Sequence, residues 1–116
     1  MANEKYDVHR IASKLQTYSP FEVAELDKEY VIRTALFKGA FPWHVHELDE
    51  FFMVLKDKID IEMKDSKVTL NEEECLKVNS GIKHRPYCKQ EAIMLLVMNK
   101  KIRTSKADFP EVKDKL

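Results

Sequence analysis

The sequence predicts an all-β sandwich or barrel preceded by one short helix. Three observations predict it. From Phe21 onward the apolar residues recur with a period of two, in several short runs. Turn-forming residues separate those runs at short intervals. Two of the runs are apolar at every second position on both faces, which is the pattern of strands covered on both sides.

The elements follow in chain order. Residues 7–18, DVHRIASKLQTY, place apolar side chains at 8, 11, 12 and 15, the spacing of one helix face, and Pro20 ends the run. Residues 1–20 therefore read as an N-terminal helix or arm. YVIRTALF (30–37) is rich in β-formers, and Gly39 and Pro42 punctuate what comes next. EFFMVL (50–55) reads as a strand. KIDIEM (58–63) alternates, with Ile59, Ile61 and Met63 on one face and Lys58, Asp60 and Glu62 on the other. KVTL (67–70) and ECLKV (74–78) are short strands around an acidic turn, and NSG (79–81) turns the chain again. AIMLLVM (92–98) is the last long strand. Residues 21–98 read as the β-barrel and 99–116 as a charged tail.

In 50–55 the apolar Phe51, Met53 and Leu55 oppose Glu50, Phe52 and Val54, and 93–98 is apolar on both faces. Each strand therefore needs cover on two sides. The outer cover is either helix 7–18 or a second copy of the chain. A homodimer is the favoured reading, because obligate interfaces resemble a core cut in half.

At 116 residues the chain suits a single domain over 1–116. Twenty basic and twenty acidic residues cancel, so neither nucleic acid nor an anionic membrane surface is an expected partner. The longest apolar run, 93–98, is far short of a membrane span. Two glycines, Gly39 and Gly81, leave no glycine-rich phosphate loop. Cys75 and Cys88 read as reduced thiols, and the first ten residues lack an apolar signal core, so the expected address is cytoplasmic.

The chemistry centres on PWHVHELDEFF (42–52). His44 and His46 are two apart on extended chain, so both face the same side. Glu50 follows a short acidic connection and His84 follows the NSG turn; His9 stands apart. Three imidazoles and a carboxylate inside a barrel are costly unless something satisfies them together. A divalent cation does so, and three nitrogens with one oxygen suit Fe, Mn, Co, Ni, Cu or Zn. A His-x-His pair alone is ordinary surface or core polarity, so the metal reading needs Glu50 and His84 to converge on the pair in space. The metallo-β-lactamase pattern fails, since Glu50 follows Asp49 where a histidine is required and His84 alone remains downstream. The α-carbonic-anhydrase pattern needs a much larger sheet.

GAFPWHVHELDE (39–50) resembles the first cupin motif, and NSGIKH (79–84) resembles the second, with Asn79 where proline is usual. More closely, FKGAFPWHVHELDEFFMVL and VNSGIKHRP resemble small single-domain cupins of the mannose-6-phosphate-isomerase-like group, over about residues 8 to 98. The resemblance implies a double-stranded β-helix, or jelly-roll, barrel, often dimeric. It also implies one divalent transition metal (Zn, Fe, Mn, Ni or Co) on His44, His46, Glu50 and His84. Departures lie at Asp57 and Glu73, where the group has glycine, at Cys88 in place of asparagine, and in the tail after Asn99.

Two functions follow as expectations. One is a metal-dependent enzyme on a small polar molecule, an isomerase, lyase or dioxygenase; fold does not choose among these. The other is a non-catalytic, metal-dependent module that binds or senses a small ligand. A closed structural metal site is a third reading. Phe52, Val54, Ile59, Ile61 and Met63 are the expected pocket lining, and Trp43 should point the other way. Arg85 either meets an anionic substrate or, as favoured, pairs with Glu47 or Asp49. Tyr87 is expected half-buried in the core and Cys88 as a buried thiol. Glu47 and Asp49 are expected in a solvated turn, which leaves no dedicated general base.

Overall fold

The computed structural model describes residues 3–102. It is almost entirely antiparallel sheet: α1 (Val8–Ala12), β1 (Phe21–Leu26), β2 (Tyr30–Ala40), β3 (Glu50–Lys56), β4 (Ile59–Met63), β5 (Ser66–Leu70), β6 (Cys75–Val78) and β7 (His84–Asn99). The strands hydrogen-bond in the order β1-β2-β7-β3-β6, and β4 joins β5 to β7. This is the all-β barrel with a short leading helix that the sequence predicts.

β7 is the spine. Its second half runs between β2 and β3, with Leu95 opposite Thr34 on one side and Met53 on the other. Its first half pairs with β4, His84 against Met63 and Tyr87 against Asp60. A register shift between Phe37 and Gly39 lets β2 follow it through the bend. One strand thus belongs to both layers and closes the barrel. The inward phase builds the core: Val31, Ala35 and Phe37 from β2, Phe52 and Val54 from β3, Ile59 and Ile61 from β4, Met94, Leu96 and Met98 from β7.

The structure corrects two expected elements. The strand expected at 92–98 begins eight residues earlier, at His84. Between 84 and 88 the burial alternates, His84, Pro86 and Cys88 in, Arg85 and Tyr87 out. Pro86 and the charged residues around it hide that period. The proline cannot donate, but its carbonyl accepts from the Phe41 N–H at 2.9 Å.

The helix expected over 7–18 covers only Val8–Ala12. Asp7 caps its start by accepting from the Arg10 N–H, and the Ser13 hydroxyl donates back to the Arg10 carbonyl. So short a helix is marginal by itself, and an alternative is at hand. Thr17 bridges Leu36, and the Tyr18 N–H donates to the Leu36 carbonyl at 2.8 Å, capturing the chain on β2.

Of the two covers expected for the outer sheet face, the N-terminal segment is seen in place. Ala12 of α1 and Leu15 just beyond it pack with Leu36, Ile93 and Leu55, so this segment covers part of that face. Beyond it, cross-strand rows Ile32–Val97–Phe51 and Leu95–Met53 remain half-buried on the outer face.

Asp57 and Glu73 adopt positive φ, 66° and 69°. These are turns where glycine is expected, and a β-carbon there is strained. Of the charged tail, Asn99 ends β7 and Ile102 joins the core; residues 103–116 lie outside the described residues.

Candidate metal centre

Two backbone hydrogen bonds bring the histidine segments together. The His44 N–H donates to the His84 carbonyl at 3.0 Å, and the His84 N–H returns the bond at 2.9 Å. The same seam continues through the turn: Gly81 N–H to the His46 carbonyl at 2.8 Å, and Ser80 N–H to Asp49 Oδ1 at 2.8 Å. Gly81 has φ 83°, a conformation that favours glycine. Alternation along the chain then puts His44 and His46 on one face, and Glu50 enters from the first position of β3, held between Val78 and Met98.

The two bridged rings are held alike. Nδ1 of His44 contacts the Pro42 carbonyl at 2.9 Å, and Nδ1 of His84 contacts the Ile82 carbonyl at 2.9 Å. A carbonyl can only accept, so each Nδ1 carries the hydrogen and each Nε2 is the nitrogen available to a metal. His44, His84 and Glu50 are buried. Ring centroids lie 4.3 Å apart for His44–His84 and 5.0 Å for His44–His46.

Glu50 is the hub. Its Oε1 lies 3.3 Å from His84 Nε2 and 3.7 Å from His46 Nε2. The donor atoms of His44, His46 and Glu50 all fall within 4.8 Å of one another. His84 is the fourth member through its contact with Glu50 and its tilted ring contact with His44. The four residues expected as ligands are thus brought together. In a neutral His84 ring Nε2 is a lone pair, and it faces a second acceptor across 3.3 Å in a buried place. Only a proton or a cation between them makes that contact favourable. A cation can serve all four groups at once, so the donor set fits a divalent transition metal. Burial, and then the neighbouring His84, push His44 down to about 4, which keeps it in the neutral form that ligates.

A cavity of about 220 Å³ opens beside this cluster, lined by Tyr18, Arg33, Phe37, Phe41, Phe52 and Met98 along with His44, His46 and Glu50. Phe41 stands edge-on to His44, and Phe52 lies beside His84. Of the expected lining only Phe52 is found there. Val54, Ile59 and Ile61 are fully buried in the packed core instead. The expectation missed Tyr18, Arg33, Phe37 and Phe41. Arg33 did leave a signal, a lone cation on the inward phase of β2 between Val31 and Ala35.

Arg85 forms an ion pair, but with Glu62, its register partner on β4, at 2.6 Å; Glu47 and Asp49 are not involved. Its guanidinium also lies 4.8 Å from the Trp43 ring centroid, on the outer side of the His44–His84 bridge. Trp43 points away from the cavity, as alternation requires. Asp49 instead lies 3.8 Å from Lys77, and both Glu47 and Asp49 are exposed. Tyr87 is exposed, at 38%, not half-buried in the core, because it takes the outward phase of β7. Cys88 is buried, and burial pushes its thiol up to about 11.

Residues 36–98 match the family model for the cupin domain (Cupin_2). No curated protein matches the sequence. Among solved structures, a cupin-2 domain containing protein from Shewanella frigidimarina is 27% identical, with TM-score 0.75 over 79% of this chain and 90% of its own. A Neisseria meningitidis protein is 16% identical, with TM-score 0.74 over 84% of this chain and 100% of its own. Hydroquinone 1,2-dioxygenase from Sphingomonas, crystallised with 4-hydroxybenzoate, is 20% identical, with TM-score 0.75 over 81% of this chain and 72% of its own. The last two likenesses are of fold.

Proposed function

The chain belongs to the cupin family, and from that premise we propose that His44, His46, Glu50 and His84 hold one divalent transition metal acting on a small polar molecule. The observation that carries the reading is the Glu50–His84 contact: a buried carboxylate oxygen 3.3 Å from an imidazole Nε2 whose Nδ1 is already committed to the Ile82 carbonyl. The narrower likeness to the mannose-6-phosphate-isomerase-like group rests on the two motif segments alone.

A bound metal would polarise a substrate oxygen or activate water or dioxygen. The chain's own residues supply orientation and dryness. The Pro42 and Ile82 carbonyls fix two rings, and Phe41 and Phe52 wall the cluster with apolar surface. Isomerase, lyase and dioxygenase chemistry are all compatible with this arrangement; the hydroquinone dioxygenase shares the barrel, which favours no single one of them.

The second reading, a metal-dependent binding or sensing module, has one observation in its favour. Among the described residues, the titratable groups on the cavity wall apart from the proposed ligands are Tyr18 and Arg33. The Tyr18 hydroxyl donates to the Lys38 carbonyl, and burial raises its pKa. Neither group is a general base at neutral pH.

The test is elemental analysis of untagged protein purified without chelator, beside His46→Ala. We expect about one metal per chain, lost in the variant. Protein that neither carries nor takes up a metal refutes the reading. Turnover of small oxygenated substrates with Fe(II), Mn(II) or Ni(II) separates enzyme from binding module.

We also propose a homodimer through the outer rows Ile32–Val97–Phe51 and Leu95–Met53, which α1 leaves uncovered. Two free cysteines support a cytoplasmic address.

A further inference from the structure

We propose that Arg33 selects the ligand of this cavity: its guanidinium binds the carboxylate of a small, flat, ring-sized acid whose other end reaches the metal. The proposal rests on the metal reading above and names the ligand class for the same site.

Arg33 occupies an inward position on β2. Its neighbours in phase, Val31 and Ala35, are core residues at 1% and 2% exposure. Arg33 lines the same cavity as His44, His46 and Glu50, and its guanidinium reaches Met98, another residue of that wall. The polar contact it makes is Nη1 to Met98 Sδ at 3.9 Å, a weak acceptor. Among the described residues no carboxylate comes within ion-pair distance of it, whereas Arg85 is paired with Glu62. Glu22 is its cross-strand neighbour on β1, yet is exposed and forms no such pair. A guanidinium carries five N–H donors, and on a partly buried apolar wall those donors call for an acceptor.

Shape and charge narrow that acceptor. Tyr18, Phe37, Phe41 and Phe52 supply flat apolar walls. The volume of about 220 Å³ exceeds the roughly 150 Å³ that admits a benzene ring. Glu50 and Arg33 cancel without a metal; a divalent metal leaves the cavity two positive charges. A carboxylate answers the planar fork of Arg33 with two parallel hydrogen bonds, and anion binding should strengthen when the metal is present.

The experiment is calorimetric titration of the full chain, zinc-reconstituted and metal-free, with benzoate, benzamide and phenyl phosphate. The proteins are wild type, Arg33→Met, Arg33→Lys and Glu22→Gln, with metal content measured for each. We expect benzoate to bind zinc-loaded wild type at least about tenfold tighter than benzamide, a single charge-assisted contact being worth that much. Arg33→Met should remove the preference at unchanged metal content, Arg33→Lys should keep part of it, and Glu22→Gln should keep all of it. Equal binding of benzoate and benzamide by wild type overturns the proposal. So does a preference that survives Arg33→Met, or one that Glu22→Gln removes as fully. Tighter phenyl phosphate overturns the carboxylate assignment, and binding of no probe at millimolar concentration overturns the ring-sized ligand. If the protein takes up no metal yet prefers benzoate through Arg33, the metal reading fails and the Arg33 assignment stands.

Discussion

Replacing Glu50 by glutamine separates the two things this carboxylate does. At pH 8 metal-free protein holds Glu50 Oε1 3.3 Å from His84 Nε2, in a ring that carries its hydrogen on Nδ1 toward the Ile82 carbonyl, with Glu50 and His84 at 6% and 1% exposure. The carboxylate is desolvated and the facing atom cannot donate. A glutamine amide in the same place donates to His84 Nε2, which removes a buried charge and makes a hydrogen bond. Relief of one unsatisfied buried group is worth about 1–3 kcal/mol, so Glu50→Gln should be more stable than wild type by that amount in chelator. For a chain of this size that is roughly 3–12 °C in Tm. With metal the order should reverse. Wild type gains about 2.7 kcal/mol when free metal is a hundredfold above Kd, whereas the variant has lost the anionic ligand. Urea denaturation at pH 8, with chelator and then with zinc, reads both arms. A metal-free variant less stable than wild type would refute the reasoning, for it would mean that a proton already joins His84 to Glu50 and that no cation is needed.

Other outcomes follow from the same geometry. His44 is held down at about 4 by burial and His84, below its ordinary 6.5. The unfolded chain therefore binds the extra proton first, and metal-free stability should fall between about pH 6.5 and pH 4, by at most about 3 kcal/mol; equilibrium unfolding across that window, compared with His44→Ala, checks the slope. Metal affinity should drop over the same range as protons compete for the imidazoles, read by a zinc-chelator competition titration. Glu73→Gly relieves a left-handed turn at φ 69° and should stabilise by about 0.5–1 kcal/mol after the extra chain entropy of glycine is subtracted. Asp57→Gly should gain less, because Asp57 Oδ1 accepts from the Lys58 N–H; chemical denaturation measures both. Val97→Asp, in the middle of the outer Ile32–Val97–Phe51 row, should yield monomers in analytical ultracentrifugation, and an unchanged sedimentation coefficient would remove the proposed dimer face.

Local patterns carried the sequence reading a long way. The period of two in 58–63 placed Ile59 and Ile61 in the core, where both are fully buried. The His-x-His spacing placed both rings on one face, and the two-sided apolar pattern of 50–55 identified β3 as a strand with outer contacts. The same kind of reading failed at the arm and at the start of β7. The apolar positions 8, 11, 12 and 15 suit a helix, but the hydrogen bonds that end it come from Leu36 on β2, far along the chain. The alternation of His84, Pro86 and Cys88 is present in the sequence, yet proline and charged neighbours argue against a strand until β4 and residue 41 are there to pair with it.

By itself the sequence determined the kind of residue at each position and its phase on an extended chain: an all-β barrel, two histidines on one face, a carboxylate in phase with Phe52 and Val54. Those properties depend on neighbours one to four residues away. That Glu50 meets His84 across 34 residues was implied by the resemblance of the two motifs and is realised only in the tertiary structure, which alone decided that Arg85 turns outward to Glu62 and that Arg33 faces the cavity beside the histidines. Each is a contact between distant segments, and it exists only because one bent strand, β7, closes the barrel and brings them to the same place.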